Sequence, residues 1–157
     1  MPAGSELELL RYVVLALERQ GSRQLNSMLN ELELTASQAE VLRVIETFGP
    51  MSVKEVGEVL VCESGSPSRL VAALVSGGIV RREVNPEDRR ETLLSLTPAG
   101  RLLAAEVRRV EAAYVQSLSA DVDAGEIAQA TRVLAKLVTD ERLHHALERR
   151  FSNTWTA

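Results

Sequence analysis

Apolar residues recur at spacings of three and four along the N-terminal stretch: Leu7, Leu10, Val14 and Leu17, then Leu25, Met28, Leu29 and Leu32. This period predicts a helix over 5–32, either continuous or broken near Gly21-Ser22. A second helix follows in LTASQAEVLRVIETFGP. Thr35 and Gln38 have capping-box spacing, in which the hydroxyl accepts from an amide of the first turn and the Gln side chain reaches back to the cap. Gly49-Pro50 ends that helix. Ser52 and Glu55 repeat the spacing and open a short helix of about two to three turns in SVKEVGEVLV. In CESGSPSRLVAALVSGG, Pro67 fits only a first turn, where its missing N–H costs little. With Ser64 as N-cap and Pro67 at N3, this fourth helix runs to Ser76 and stops at Gly77-Gly78.

The pattern then changes from helical to short and apolar. IVRREV and ETLLSL read as two strands flanking 85–90, a hairpin with a long tip. Thr97 caps the next helix, with Pro98 at its first position. That helix runs to about Ser119 and carries Leu103, Val107, Val110, Tyr114 and Leu118 on one face. Asp123 or Ala124 opens a last helix through Ile127, Ala130, Leu134, Leu137, Val138 and Leu147, roughly 40 Å long at ~1.5 Å per residue. The fold class is therefore mainly α with a small β-hairpin. A short helix, a tight turn, a second helix and a β-hairpin together make a winged helix-turn-helix, a module whose second helix enters the DNA major groove.

Composition narrows the picture. The chain has 157 residues, of which 45% are hydrophobic and only 3% aromatic, so its core must be built from Leu, Val and Ala, which favours helices over a β-sandwich. No apolar run approaches the ~20 residues needed to span a bilayer. MPAGSELELL has no basic segment and carries Glu6 and Glu8, unlike a secretory signal. With one cysteine, Cys62, no internal disulfide can form. These features predict a cytoplasmic protein without membrane association. The net charge of −4 argues weakly against nucleic acid, but its distribution matters more. From 64 to 101 there are six arginines against four acids, a local excess of +2 in an acidic chain.

At this point the residues resemble the MarR (multiple antibiotic resistance regulator) family of transcription factors. The hairpin fits the family pattern of Asp-x-Arg, three residues, an aliphatic, x and Leu-Thr, here Asp88, Arg90, Leu94, Leu96 and Thr97. GPMSVKEVGEVL resembles the lead into the family's helix-turn-helix. SPSRLVAALVSGGIVRRE resembles its recognition helix and first wing strand, with Ser66, Ser68 and Arg69 at the hydroxyl-x-hydroxyl-Arg positions. The resemblance covers about 34–101. It implies an N-terminal dimerisation helix over 1–33, a winged DNA-binding domain over 34–101 and C-terminal dimerisation helices over 102–157. It further implies a homodimer on a palindromic operator in double-stranded DNA, and repression relieved by a small-molecule effector such as an aromatic or phenolic acid. Such an effector would bind between the first long helix and the winged domain, where Arg11, Arg19 or Arg43 would meet its acid group. No cofactor is implied.

Under this reading, Arg90 at the wing tip enters the narrow minor groove, where negative potential is focused. Asp88 holds its guanidinium by a charge-assisted bond, and Arg89 reaches a phosphate or shares the groove. Ser64, Ser66 and Ser68 offer hydroxyls to phosphates or base edges, or serve simply as N-caps, and Arg69 pairs with a phosphate, a base or a wing acid. The chain departs from relatives at Ala72 and Ala73, where polar residues are common, and at Val61 and Gly65; its recognition helix is poor in base-reading side chains. Cys62 precedes that helix, which raises the alternative of a redox-responsive regulator. The corresponding position in relatives is apolar, which favours packing. His144 and His145 point about 100° apart on a helix and cannot chelate one ion together, so no metal site is expected. There is no phosphate loop and no arguable nucleophile set, so no enzyme is expected. The remaining alternative is a winged module that binds protein and not DNA.

Overall fold

The computed structural model describes residues 3–62, 66–118, 121–152 and 154. Helix α1 spans Ala3–Leu29, α2 Ala36–Phe48, α3 Val53–Val59 and α4 Pro67–Ser76. Strands β1 (Val80–Val84) and β2 (Thr92–Leu96) precede α5 (Pro98–Leu118), α6 (Ala124–Ala135) and α7 (Glu141–Arg150).

Local chemistry sets most boundaries. Thr35 and Ser52 each form the complete capping box with Gln38 and Glu55, the two side chains satisfying one another's backbone amides. The Thr97 hydroxyl accepts from the Gly100 amide at 3.0 Å and donates to the Gly78 carbonyl at 2.7 Å, so one side chain starts α5 and ties it to the link between α4 and β1. Gly78 takes a φ of 71°, a left-handed conformation open to glycine without a Cβ penalty.

β1 and β2 pair antiparallel, with Val80 opposite Leu96 and Val84 opposite Thr92. The free edge of β2 is partly covered by Met51, which exchanges backbone bonds with Leu94 at 3.2 and 2.8 Å. That bridge stitches the wing to the segment between α2 and α3. The core lies where α2, α3, α4, the hairpin and the first half of α5 meet. Leu42, Val56, Val59, Val71, Val80, Leu94 and Val107 are fully or almost fully buried there.

Three expectations are corrected and one open alternative is decided. The final helix is two helices: α6 stops at Ala135, and Asp140 restarts the chain as a new N-cap by accepting from the Leu143 amide. The β-branched pair Val138-Thr139 and the capping Asp140 win over an apolar period that runs through them. α1 does not break at Gly21; that residue is buried, and an added Cβ would collide with the Tyr114 hydroxyl, so the glycine serves close approach to α5. α1 ends at Leu29, followed by a 3-10 turn over Asn30–Leu32 that closes at Glu33 with φ 54°. The N-cap of α4 is Ser66, with Pro67 at its first position; proline's fixed φ and missing N–H suit that place best. Ser64 and Gly65 lie outside the described residues.

Candidate nucleic-acid interface

The hairpin tip is built by side chain to backbone bonds. The Asn85 amide N–H donates to the Glu91 carbonyl at 2.9 Å, and its side-chain nitrogen donates to the Glu91 carboxylate at 2.7 Å. The Glu87 amide returns to Asn85 Oδ1 at 3.0 Å, an Asx turn set up by Asn85-Pro86. The Asp88 carboxylate accepts from the Arg90 backbone N–H at 2.9 Å, and its carbonyl accepts from Glu91.

Asp88 therefore positions the backbone of Arg90 and not its guanidinium, which corrects the sequence expectation. A two-residue separation puts the amide within reach of a short Asp side chain, and the guanidinium extends beyond it. Asp88, Arg89 and Arg90 are all exposed, and neither guanidinium forms an ion pair among the described residues. The wing arginine that is engaged is Arg81, on Ser95 at 2.9 Å and Glu83 at 3.4 Å.

On α4 the buried side is Val71 and Leu74, which leaves Ser66, Ser68, Arg69, Ala72 and Ala73 exposed. Ser66 caps without a side-chain bond, so its hydroxyl is not committed to the helix end. Cys62 is half-buried against the core, consistent with the packing expected of it.

A groove of about 890 Å³ runs between α1 and the winged region, bounded by Glu18, Ser22 and Asn26 on one side and by Thr35, Cys62 and Arg69 on the other. Among the described residues, the cation lining it is Arg69. Of the arginines weighed from sequence, Arg43 is held by Glu46 and by Glu111 at 3.0 Å and does not line this groove, and Arg11 stacks on Tyr12. Arg19 is exposed and does not line this groove.

The structure also brings together residues that sequence reasoning passed over. Glu40 of α2 and Arg142 and Arg150 of α7 converge on the segment between α3 and α4. No local motif marks them, because the partners lie 22, 82 and 110 positions apart.

Comparison with known proteins bears on the whole arrangement. Residues 34–100 match a family model described as a winged helix DNA-binding domain. The chain is 31% identical over 117 residues to the multiple antibiotic resistance protein MarR of Escherichia coli K12, covering 74% of this chain and 81% of that protein. It is 30% identical over 94 residues to the organic hydroperoxide resistance transcriptional regulator of Bacillus subtilis, covering 60% and 64%. A crystal structure of a cysteine-to-serine mutant of E. coli MarR complexed with operator DNA superposes with a TM-score of 0.76 at 29% identity, over 88% of this chain and 99% of that one. The repressor CouR, bound to a 23-mer DNA duplex, shares the fold with a TM-score of 0.75 at 22% identity, over 87% and 97%. No helix among the described residues is long and apolar enough to cross a membrane. By its winged domain, its helical frame and its similarity across most of the length of E. coli MarR, the chain belongs to the MarR family of DNA-binding transcriptional regulators.

Proposed function

We propose that the chain acts in the cytoplasm as a homodimer that binds a palindromic operator, represses transcription and is released by a small aromatic or phenolic acid. The observation that carries this reading is the wing tip: two adjacent arginines, exposed and unpaired among the described residues, on a turn whose backbone is fixed by Asn85, Asp88 and Glu91. Guanidiniums held this way fit a narrow minor groove without first breaking an ion pair. Ser66, Ser68 and Arg69 would make the major-groove and phosphate contacts, and Ser64 would extend that set.

Dimerisation is supported by the apolar surface that one chain leaves uncovered. Leu7, Leu9, Tyr12, Leu17, Val115 and Ile127 are all exposed, on α1, α5 and α6. A second copy covering the segments 1–33 and 102–157 removes that surface from water and spaces two 34–101 units for two half-sites. The α1 groove supplies a place for the effector: an acid bound at Arg69 would occupy a cation that DNA also needs, which makes the two ligands mutually exclusive.

The test is an anisotropy titration of the full chain against its own upstream DNA at several salt concentrations, with Arg90→Ala alongside. Wild type should bind saturably, with log affinity falling linearly in log salt. The variant should lose at least about tenfold, or ~1.4 kcal/mol, while remaining the same oligomer. Equal binding by the two proteins would remove the wing from the interface.

A further inference from the structure

The segment between α3 and α4 is held from behind by the far end of the chain. α7 packs on α3, and Ala146 of α7 is fully buried. Near its start, Arg142 Nη1 donates to the Leu60 carbonyl at 2.8 Å. At its end, Arg150 pairs with Glu40 of α2. Glu40 in turn accepts two backbone amides, Val61 on Oε1 at 2.8 Å and Cys62 on Oε2 at 2.9 Å. Three consecutive residues, 60 to 62, are thus fixed by side chains from α2 and α7, a few positions ahead of α4, which begins at Pro67.

The arrangement is directional. Residues 60–62 are irregular, so the amides of 61 and 62 find no partner in a helix or strand and need a side-chain acceptor. One carboxylate serves both, as at an N-cap. Arg150 supplies the counter-charge that keeps the Glu40 carboxylate aimed, in surroundings where its side chain is only 13% exposed and Arg150's only 22%. Such a pair is screened far less than a surface one. Arg149 stacks over Phe48 at 5.8 Å, which seats the end of α7 on α2 as well.

We infer that α7 is a strap that sets the pose of the recognition helix. Arg142 and Arg150 are positioning residues for DNA binding, acting through Leu60 and through Glu40 on residues 60–62 ahead of α4. The inference rests on the DNA-binding reading above for its functional half. Its structural half stands alone: movement of α7 releases residues 60–62. Because α7 is joined to α6 only through 136–140, whatever displaces the C-terminal helices displaces the strap, and DNA affinity follows.

The experiment compares the full-length wild type with Arg142→Ala/Arg150→Ala and with Arg150→Lys. Two quantities are read: residue-level amide hydrogen exchange in the free protein, and DNA affinity as a function of salt. In the double variant, exchange at Val61 and Cys62 should rise about tenfold or more while α2 and α5 keep their protection. Affinity should fall by about fivefold or more, with a shallower salt slope, because a mis-seated helix contacts fewer phosphates. Arg150→Lys, which retains the charge beside Glu40 and leaves Arg142 in place, should stay close to wild type in both readouts. Unchanged exchange at 61 and 62 would overturn the strap, and so would a rise spread equally through α2 and α5. Local release with undiminished affinity, in a protein that does lose binding with Arg90→Ala, would overturn the positioning role. If the wild type binds no DNA, the regulator reading falls, and the exchange result alone decides whether the strap exists.

Discussion

Asp88 and Arg90 sit two residues apart at the wing tip, and what joins them is a carboxylate-to-amide bond of 2.9 Å. Under the proposed DNA-binding reading, the role of Asp88 is conformational: it fixes the turn from which Arg90 extends. A net backbone hydrogen bond is worth roughly 0.5–1.5 kcal/mol, so releasing it should cost about two- to tenfold in affinity. Removing the carboxylate also removes a negative charge that DNA would repel, and the two effects oppose one another in a simple truncation. Asp88→Asn and Asp88→Ala both lose the charge, but only the first keeps an acceptor. Asn at this position should bind DNA about two- to tenfold more tightly than Ala. Identical affinities for the two variants would mean that the turn holds without the Asp88 bond.

Among the elements, α5 and the link between α4 and β1 meet at a place with no spare volume. Gly100 is buried in the first turn of α5, and a Cβ added there would run into the backbone carbonyl of Ile79. A backbone obstacle cannot swing aside as a side chain can. Gly100→Ala should therefore destabilise by about 1–3 kcal/mol, despite the ~1 kcal/mol that Ala gains over Gly in helix propensity. Urea unfolding checks this, and a stability gain would show that the wing root yields. The cap of α3 has a pH signature. Glu55 titrates below the usual carboxylate range, first because its carboxylate accepts the Ser52 backbone amide and next because it accepts the Ser52 hydroxyl. A carboxylate stabilised in the fold contributes fully above its unfolded pKa and loses that contribution as pH falls through its folded one. Glu55→Gln should therefore flatten the acid limb of a pH–stability profile and leave the shape of the neutral-to-alkaline side unchanged. An unaltered acid limb would show that the carboxylate has no net role in holding the cap.

For the whole molecule, the uncovered apolar residues of α1 matter most. Leu9 and Leu17 are 62% and 57% exposed in a single chain. Burying a leucine contributes roughly 1.5–3 kcal/mol, and placing a charge in such an interface costs more than that. Leu9→Glu/Leu17→Glu should sediment as a monomer, with the fold of 34–101 kept by circular dichroism. On the proposed dimeric reading it should also lose at least about tenfold in operator affinity, because two half-sites would no longer be engaged by one particle. A persistent dimer would move the interface off this face of α1.

The elements were legible in the sequence wherever the governing interaction is local. Both capping boxes, the Thr97 cap, the stop at Gly49-Pro50 and the hairpin all follow from residues within a turn of one another. So did the place of Asp88, Arg89 and Arg90 on a hairpin tip, since turn residues flanked by short apolar runs carry their own signal. Tertiary structure alone decided what depends on distant partners. It showed that Gly21 belongs to an unbroken helix because Tyr114 needs the space, and that Met51 completes the edge of the wing. It placed Arg69 and not Arg43 on the α1 groove, because Glu46 and Glu111 already hold Arg43. It divided the last helix at 136–140 and brought α7 onto Glu40 and Leu60. Periodicity reports which face of a helix is apolar, but it carries no information about which other segment covers that face. That depends on packing and charge pairing between residues up to 110 positions apart, which the chain acquires only on folding.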